Sequence, residues 1–476
     1  MNRLSALDAE FLHMEDEASH MQLGGVCVFE DPPPSIEQLT ALIASKLHRL
    51  PLYRRRVRTV PFELGRPVWV DDPHFAIGYH VRHTALPAPG DDSTLSTLMG
   101  RLMSQPLDRE RPLWEAWLVE GLSDGRWAIV FKAHHCMVDG VAGVGLLGVL
   151  LDAEPETTIT EPEPWEPSPQ PAGVAMVLDA WGGLLGDAAG WARKAPNAVL
   201  HPLGAARGVT ETLRGVSGFI SNLSITPEMS IVGRIGPHRV WASGSVAMGD
   251  IRTIRAAFGG TINDVVLAAV SGGYRALLRE RGDDVNTVVV RSAVPVSVRN
   301  EDGRGVADNR VSSLLVDLPV GIEDPVERLE FLTKRMAEVK ASHMAEAGEV
   351  ITSIGDLAPP MLVGAVTRLV VRAGQTFPQR VVNTVTTNVP GPQFPLYCLG
   401  REMTEYLPYV PIVQGIRVGT AILSYNARSA FGVTGDFDSV PEVGVLAAAT
   451  VQTIDALRTR ALTVSGAPKR RRVKRS

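Results

Sequence analysis

A proline-rich segment near residue 160 limits most strongly how this sequence can fold. Residues 154–171 contain six prolines and five glutamates and few apolar side chains. Proline removes a backbone hydrogen-bond donor, and a segment this poor in apolar residues cannot bury a core of its own. The segment therefore predicts an extended linker between two bodies that fold on either side of it.

This linker divides the chain into four predicted parts. They are an N-terminal half (1–153), the linker with connecting helices (154–236), a C-terminal half (237–462) and a basic tail (463–476) that is expected to be disordered. Strand and helix patterns alternate after the linker, as in His238–Val246 and Asp264–Arg281. Both halves are thus predicted to have an α/β architecture.

Charge and cysteine content exclude several classes of protein. The net charge of the chain is −5, and the tail alone carries six positive charges, so the body is close to −11 and a poor partner for nucleic acid. The three cysteines, Cys27, Cys136 and Cys398, lie far apart, which argues against a disulfide framework. The sequence lacks an apolar run of about 18 residues and a signal-peptide pattern, so we expect a cytoplasmic protein, at most peripheral to a membrane or lipid droplet.

The segment Trp114–Gly140 carries the sharpest chemical signal. Trp114–Leu122 and Trp127–His135 have strand patterns on either side of a Ser-Asp-Gly-Arg turn, which predicts a β-hairpin. Because side chains alternate along a strand, His134 and His135 are expected on opposite faces. His135 would share its face with Trp127, Ile129, Phe131 and Ala133.

A histidine at a strand end, against apolar side chains and four residues before a carboxylate, suits a general base. Its ordinary pKa, near 6.5, lets it accept a proton from a hydroxyl group at neutral pH. Asp139 is expected to keep the loop rigid without touching the ring. Two other interpretations stay open: one or both histidines could be structural, or they could bind a metal, although no third histidine or cysteine stands at metal-site spacing.

Four motifs resemble one enzyme family. One motif is HHxxxDG of the CoA-dependent acyltransferases, which matches His134-His135-Cys136-Met137-Val138-Asp139-Gly140. The same motif also occurs in nonribosomal-peptide condensation domains. Three further segments resemble motifs of the bacterial wax ester synthase/diacylglycerol acyltransferase family: Pro112-Leu113-Trp114, Asn263-Asp264 and Asn388-Val389-Pro390-Gly391-Pro392. The opening segment, with Phe11, Leu12 and Glu15, also resembles this family, and the whole pattern is similar to actinobacterial triacylglycerol synthases.

The resemblance implies a fold and a set of roles. The fold would consist of two chloramphenicol-acetyltransferase-like halves with a tunnel between them. His135 would be the general base, supported by His134, while Asp139 orients the loop and Gly140 forms its turn. Acyl-CoA would enter from one side and the acceptor alcohol from the other, and neither a cofactor nor a metal is implied.

The other motif residues have alternative roles. Asn263 would support the oxyanion or the facing loop, because an amide donor suits developing negative charge, or it would cap a helix. Trp114 would line the tunnel wall or belong to the ordinary core. The residues expected to shape the substrate tunnel are Pro112, Leu113, Trp114, Asp264, Asn388, Pro390 and Gly391.

The resemblance therefore implies an acyl-CoA-dependent O-acyltransferase that forms triacylglycerol from diacylglycerol. Long-chain alcohols are a second expected acceptor and would give wax esters. The basic run Lys469–Arg475 is a candidate contact with an anionic membrane. Two alternatives remain: a condensation-type or polyketide-associated acyltransferase with a carrier-bound donor, and a catalytically silent lipid-binding protein of the same fold.

Overall fold

The computed structural model of the chain describes residues 2–138, 148–157, 159–182, 226–297, 311–338 and 381–466. Asp139 and Gly140 of the histidine motif lie outside these residues, as do the connecting segment 183–225 and the basic run from Lys469. The architecture below refers to the described part of the chain.

Strands and helices alternate along both halves. The strands are β1 (Gln22–Phe29), β2 (Arg55–Arg58), β3 (Val68–Asp71), β4 (Val81–Ala85), β5 (Trp114–Glu120), β6 (Trp127–His134), β7 (Val232–Gly233), β8 (Arg239–Ala247), β9 (Val290–Ser297), β10 (Val311–Leu318), β11 (Thr384–Pro390), β12 (Tyr397–Cys398), β13 (Arg401–Tyr409), β14 (Gly415–Ile416), β15 (Val418–Tyr425) and β16 (Arg428–Asp436). The helices are α1 (Ala6–Met14), α2 (Ile36–Lys46), α3 (Ile77–His80), α4 (Asp92–Met103), α5 (Gly173–Gly182), α6 (Met248–Phe258), α7 (Ile262–Glu280), α8 (325–338) and α9 (Val443–Gly466).

The first sheet contains six strands in the order β12-β13-β1-β6-β5-β4. Strands β5 and β6 pair antiparallel, with Trp114 opposite Ala133, which confirms the predicted hairpin. Helix α2 begins at the N-cap Ser35, which shares a capping box with Gln38. Its apolar residues pack in one hydrophobic cluster of this sheet, while those of α4 pack in another, so two helices enclose the hairpin.

The second sheet also contains six strands, in the order β10-β9-β11-β15-β16-β8. Strand β11 lies parallel to both β9 and β15, and the other pairs are antiparallel. Helices α6, α7 and α9 contribute to the cluster of buried apolar side chains against this sheet. The two sheets confirm the predicted α/β fold with two similar halves.

Strand β13 joins the two halves in a way that the sequence does not predict. It follows β11 in the chain, yet it pairs antiparallel with β1 in the first sheet, with Val26 opposite Leu407. Glycine is needed at residue 25, because a Cβ there would lie 2.5 Å from the Tyr406 ring and 2.6 Å from the Leu407 carbonyl oxygen. The first sheet is therefore built from both ends of the chain.

Helix α4 makes a second junction between the halves. Gly100 allows it to approach β8, since a Cβ there would lie 2.8 Å from the carbonyl oxygen of Arg239. The backbone N–H of Arg239 donates to Ser104 Oγ at 2.8 Å. These contacts fix the C-terminal end of α4 against the second sheet.

The proline-rich segment runs as irregular, largely exposed chain through its described residues. Within it, Trp165 packs edge-on against Phe75 and beneath the guanidinium of Arg54. Of the helices that the structure describes, none alone combines the length and apolar character needed to cross a bilayer; α6 and α7 reach both only as a pair bent by 102°.

Candidate active site

The histidine motif lies where β6 ends. The last ladder position pairs His134 with Gln22 of β1, and the next residue, His135, donates its backbone N–H to the Met21 carbonyl at 2.8 Å. The N–H of Met137 then bonds back to the carbonyl of His134 at 2.9 Å, which closes a turn. The strand consequently ends at His134, one residue before the predicted end.

The residues that precede the histidines alternate between two hydrophobic clusters, as predicted. Trp127, Phe131 and Ala133 pack in the cluster that contains α2, whereas Ala128 and Val130 pack in the cluster that contains α4. This alternation is the consequence of strand geometry. The sheet thus places the histidine pair at the end of a strand that is packed on both faces.

His134 is buried and committed to structural contacts. Its side chain is 1% exposed, its Nδ1 accepts the backbone N–H of Cys136 at 3.0 Å, and its Nε2 lies 3.5 Å from Glu15 Oε2. Because Nδ1 is an acceptor, we assign the ring proton to Nε2, where it faces the carboxylate. His134 therefore ties the turn at its own strand end to the segment that follows α1.

Glu15 is the centre of a charged contact that the sequence did not reveal. Arg109 Nε donates to Glu15 Oε2 at 2.9 Å, and Arg109 Nη2 also contacts this oxygen. Burial raises the pKa of Glu15, but the interactions with His134 and Arg109 outweigh burial and lower it to about 2. The side chain is thus a carboxylate at any ordinary pH.

His135 has different surroundings. It is half-buried, and its ring stacks on Phe11 of α1 with a centroid separation of 3.8 Å and an interplanar angle of 25°. A partly exposed imidazole held by a ring contact can meet a substrate, whereas the buried His134 cannot. The predicted partners Asp139 and Gly140 lie outside the described residues.

Cys136 is a buried thiol in the turn. Its side chain is 3% exposed, and burial is the largest of the effects that raise its pKa well above the ordinary value. A thiol that stays protonated is a poor nucleophile.

Across the residues that the structure describes, histidine, cysteine and acidic side chains form no group of three suited to a metal ion.

Lys132 contributes a second buried charge close to the motif. Its Nζ donates to the carbonyls of Leu102 at 3.1 Å and Gln105 at 2.6 Å, and it lies 3.7 Å from Glu115 Oε2. Burial lowers the pKa of Lys132 to about 8, against the opposing effect of Glu115. Lys132 thereby ties the C-terminal end of α4 to β6 next to the histidines.

The Pro112-Leu113-Trp114 segment reaches the motif through its backbone. The carbonyl of Leu113 accepts the N–H of His134 at 2.9 Å. Trp114 is 1% exposed, donates its Nε1–H to the Tyr53 carbonyl at 2.8 Å and stacks on His80. In this structure Trp114 is a core residue that holds β5 in place, and all three residues of the segment are buried.

Asn263 and Asn388 meet between α7 and β11, although 125 positions separate them. Asn388 Nδ2 donates to Asn263 Oδ1 at 3.1 Å. The N-cap of α7 is Thr261, which forms a capping box with Asp264, so the cap is not Asn263. Asn263 lies one residue after the first of the helix and is half-buried, with its amide oriented by Asn388.

The end of β11 lies close to the same core as the histidine turn. Gly391 donates its N–H to the Ser424 carbonyl at 2.8 Å, and a Cβ at this glycine would lie 2.4 Å from that oxygen. Pro390, beside it, is exposed. The neighbouring strand β15 places Leu423 and Tyr425 in the hydrophobic cluster that also contains Cys136, Met137 and Val138.

Solved structures show the class of fold. The wax ester synthase/diacylglycerol acyltransferase from Marinobacter aquaeolei VT8 superposes with a TM-score of 0.70 at 24% identity, covering 97% of this chain and 100% of that chain. The first condensation domain of the calcium-dependent antibiotic synthetase matches with a TM-score of 0.56 at 15% identity, covering 97% and 96%. The two joined α/β halves, with the histidine motif at the end of β6, therefore have the chloramphenicol-acetyltransferase-like fold.

Sequence comparison shows the family. Residues 4–266 match the wax ester synthase/diacylglycerol acyltransferase catalytic domain, and residues 307–458 match the C-terminal domain of the same family. The protein named "Probable diacyglycerol O-acyltransferase" from Mycobacterium tuberculosis H37Rv is 36% identical over 450 residues, covering 94% of each chain. This chain therefore belongs to the wax ester synthase/diacylglycerol acyltransferase family and is an acyltransferase, which confirms the resemblance.

Proposed function

We propose that this enzyme transfers a long-chain acyl group from acyl-CoA to diacylglycerol and forms triacylglycerol, with His135 as general base. Long-chain alcohols are the second acceptor and give wax esters. The observation that carries the choice of base is the contrast between the histidines: His134 is buried against Glu15 and the Cys136 N–H, whereas His135 is half-buried. The choice of acceptor follows from the relative named as a diacylglycerol O-acyltransferase.

The reaction needs one proton relay and no covalent enzyme intermediate. His135 accepts the proton of the acceptor hydroxyl, whose oxygen attacks the thioester carbonyl and forms a tetrahedral oxyanion. The oxyanion collapses, the carbon–sulfur bond breaks, and the CoA thiolate takes the proton from the imidazolium. The buried, protonated Cys136 has no part in these steps, and neither does a cofactor.

Asn263 is the proposed electrostatic support of this reaction. Its amide oxygen accepts from Asn388, which leaves the amide N–H group to donate to the oxyanion or to the facing loop. Asn388, Pro390 and Gly391 close the end of β11 beside it and would shape the tunnel between the halves. Pro112, Leu113 and Trp114 would support the opposite wall through β5, and Asp264 fixes the start of α7.

Contact with a membrane or lipid droplet would bring the enzyme to its acceptor. The apolar side chains Val174, Leu178 and Trp181 of α5 are 72%, 66% and 53% exposed. Spacings of four and three residues place them on one side of the helix. We propose a cytoplasmic enzyme that attaches peripherally to the lipid surface. Flotation with anionic vesicles tests this attachment by comparing the wild type, Leu178→Ser and a chain without residues 467–476.

Product identification tests the proposed function. Purified enzyme is incubated with palmitoyl-CoA and an equimolar mixture of dioleoylglycerol and hexadecanol. The neutral lipids are then separated, and mass spectrometry identifies and quantifies them. We expect triacylglycerol as the main product and wax ester as the minor one. Wax ester alone would overturn the acceptor assignment, and transfer only from an acyl-carrier donor would favour the condensation-type alternative.

A further inference from the structure

We propose that Glu15 is a positioning residue for the general base and that it acts through His134. This inference rests on the proposed role of His135. Glu15 does not touch the reacting atoms in this scheme. It sets the proton position and orientation of the His134 ring, and that ring in turn holds the turn on which His135 stands.

The first step of the argument is the fixed tautomer of His134. The ring has two nitrogen atoms with different surroundings: Nδ1 accepts a hydrogen bond from the Cys136 N–H, and Nε2 lies 3.5 Å from the Glu15 carboxylate as a charge contact. If the proton moved to Nδ1, two donors would confront each other at Cys136. A carboxylate opposite Nε2 stabilises the tautomer that the turn requires.

The second step is the anchoring of Glu15 itself. Arg109 contacts its carboxylate through two nitrogen atoms and also donates to the Leu12 carbonyl at 3.1 Å. One guanidinium thus binds the last turn of α1 and the acid that follows it. The Glu15 side chain is 10% exposed and the Arg109 side chain 51% exposed, so water reaches the guanidinium far more than the carboxylate.

The third step links this cluster to His135. The Cys136 N–H held by His134 follows His135 directly, and Phe11, which stacks on the His135 ring, lies four residues before Glu15. The short segment from Phe11 to Glu15 therefore contacts both histidines of the motif. Loss of the carboxylate would let the turn and the His135 ring drift, and a misplacement of about 1 Å can cost about 10²-fold in rate.

A double-mutant cycle separates positioning from simple stability. The proteins are wild type, Glu15→Gln, His134→Asn and the double variant, with Glu10→Gln as a matched control in α1. Asparagine keeps an acceptor near the Nδ1 position but has no Nε2. We expect Glu15→Gln to lower kcat by about 10- to 100-fold with little change in KM for palmitoyl-CoA, and to have little further effect in the His134→Asn background.

Additive losses in the cycle, or an unchanged kcat in Glu15→Gln, would overturn the proposal. All rates are measured at a temperature at which circular dichroism shows each variant to be folded. If Glu15→Gln does not fold, Arg109→Lys replaces it, because lysine keeps the charge and loses the two-nitrogen contact. It should lower kcat in the same direction, and an unchanged kcat would count against the proposal.

A measurement that does not depend on enzyme activity separates this inference from the proposed function. Nitrogen-15 shifts of the His134 ring, assigned by their loss in His134→Asn, should show the proton on Nε2 in the wild type and a mixed tautomer in Glu15→Gln. A proton on Nδ1 in the wild type would refute the mechanism of positioning. An enzyme without acyl transfer to any alcohol would instead refute the proposed function, while the tautomer result would stand.

Discussion

Replacing Glu15 by glutamine should destabilise the fold in a way that depends on pH. The contacts with His134 and Arg109, which outweigh burial, lower the pKa of Glu15 from an ordinary value near 4.5 to about 2. At about 1.4 kcal/mol per pH unit, this difference corresponds to about 3 kcal/mol of stability at pH 7. Glutamine keeps the size of the side chain but removes its charge, so a loss of about 2–3 kcal/mol is expected for Glu15→Gln.

The direction of the pH effect follows from the lowered pKa. The stabilisation is complete above the unfolded-state pKa, near 4.5, and is lost as the pH falls towards 2. Near pH 3.3 about half of it should remain. The free energy of unfolding of the wild type should therefore approach that of the variant in acid.

Urea unfolding followed by tryptophan fluorescence at pH 7, 4.5 and 3.3 measures both quantities. Glu10→Gln, on the same helix, is the matched control and should stay close to the wild type at each pH. A difference between wild type and Glu15→Gln that is absent at pH 7, or that is as large at pH 3.3 as at pH 7, would refute the argument that the buried carboxylate is stabilised by His134 and Arg109.

Three further predictions rest on single contacts. Asn388→Ala and Asn263→Ala should each lower kcat, by about 10²-fold for Asn263 if it faces the oxyanion, and a kinetic double-mutant cycle should show coupling between them; independent effects would contradict the contact. Lys132→Met should remove a pH dependence of the free energy of unfolding. Because the pKa of Lys132 is lowered to about 8, the wild type should gain stability relative to the variant as pH rises from 8 to 10.5. Urea unfolding measures this difference, and a difference that stays constant with pH would count against the prediction. Thr261→Ala should cost about 1 kcal/mol through loss of the α7 cap, and an unchanged melting temperature would show that the cap contributes nothing.

Local patterns in the sequence predict the elements around the site. The hairpin of β5 and β6 was predicted because alternating apolar residues flank a turn, and both strands begin at Trp114 and Trp127 as expected. The end of β6 differs by one residue, because the turn that bonds Met137 to His134 stops the ladder. A turn closed by its own backbone leaves little trace in a strand pattern.

The cap of α7 decides between alternatives that the sequence left open for Asn263. Asn263 is a suitable capping type, which suggested it as a cap. Thr261 and Asp264 stand three residues apart, however, and this spacing defines a capping box. The capping box places the start of α7 before Asn263, so the Asn263 side chain is not used as a cap and accepts a hydrogen bond from Asn388.

Contacts between distant segments could not be predicted from one sequence. Strand β13 pairs with β1 although Val26 and Leu407 are far apart in the chain, and Glu15 meets Arg109 across 94 positions. Neither contact has a period or a spacing that local patterns could show. The β1–β13 pair forms because the two halves pack together, whereas the Glu15–Arg109 contact forms because the N-terminal half brings α1 next to the segment that follows α4.

The most direct test of the central claim is thiol release from palmitoyl-CoA with and without dioleoylglycerol, measured for the wild type, His135→Ala and His134→Asn. The account predicts acceptor-dependent release in the wild type and a loss of at least about 10²- to 10⁴-fold in His135→Ala, with the fold retained by circular dichroism. His134→Asn, which keeps the acceptor for the Cys136 N–H, should lose less. Full activity in folded His135→Ala, or a greater loss in His134→Asn, would contradict the assignment of His135 as the base.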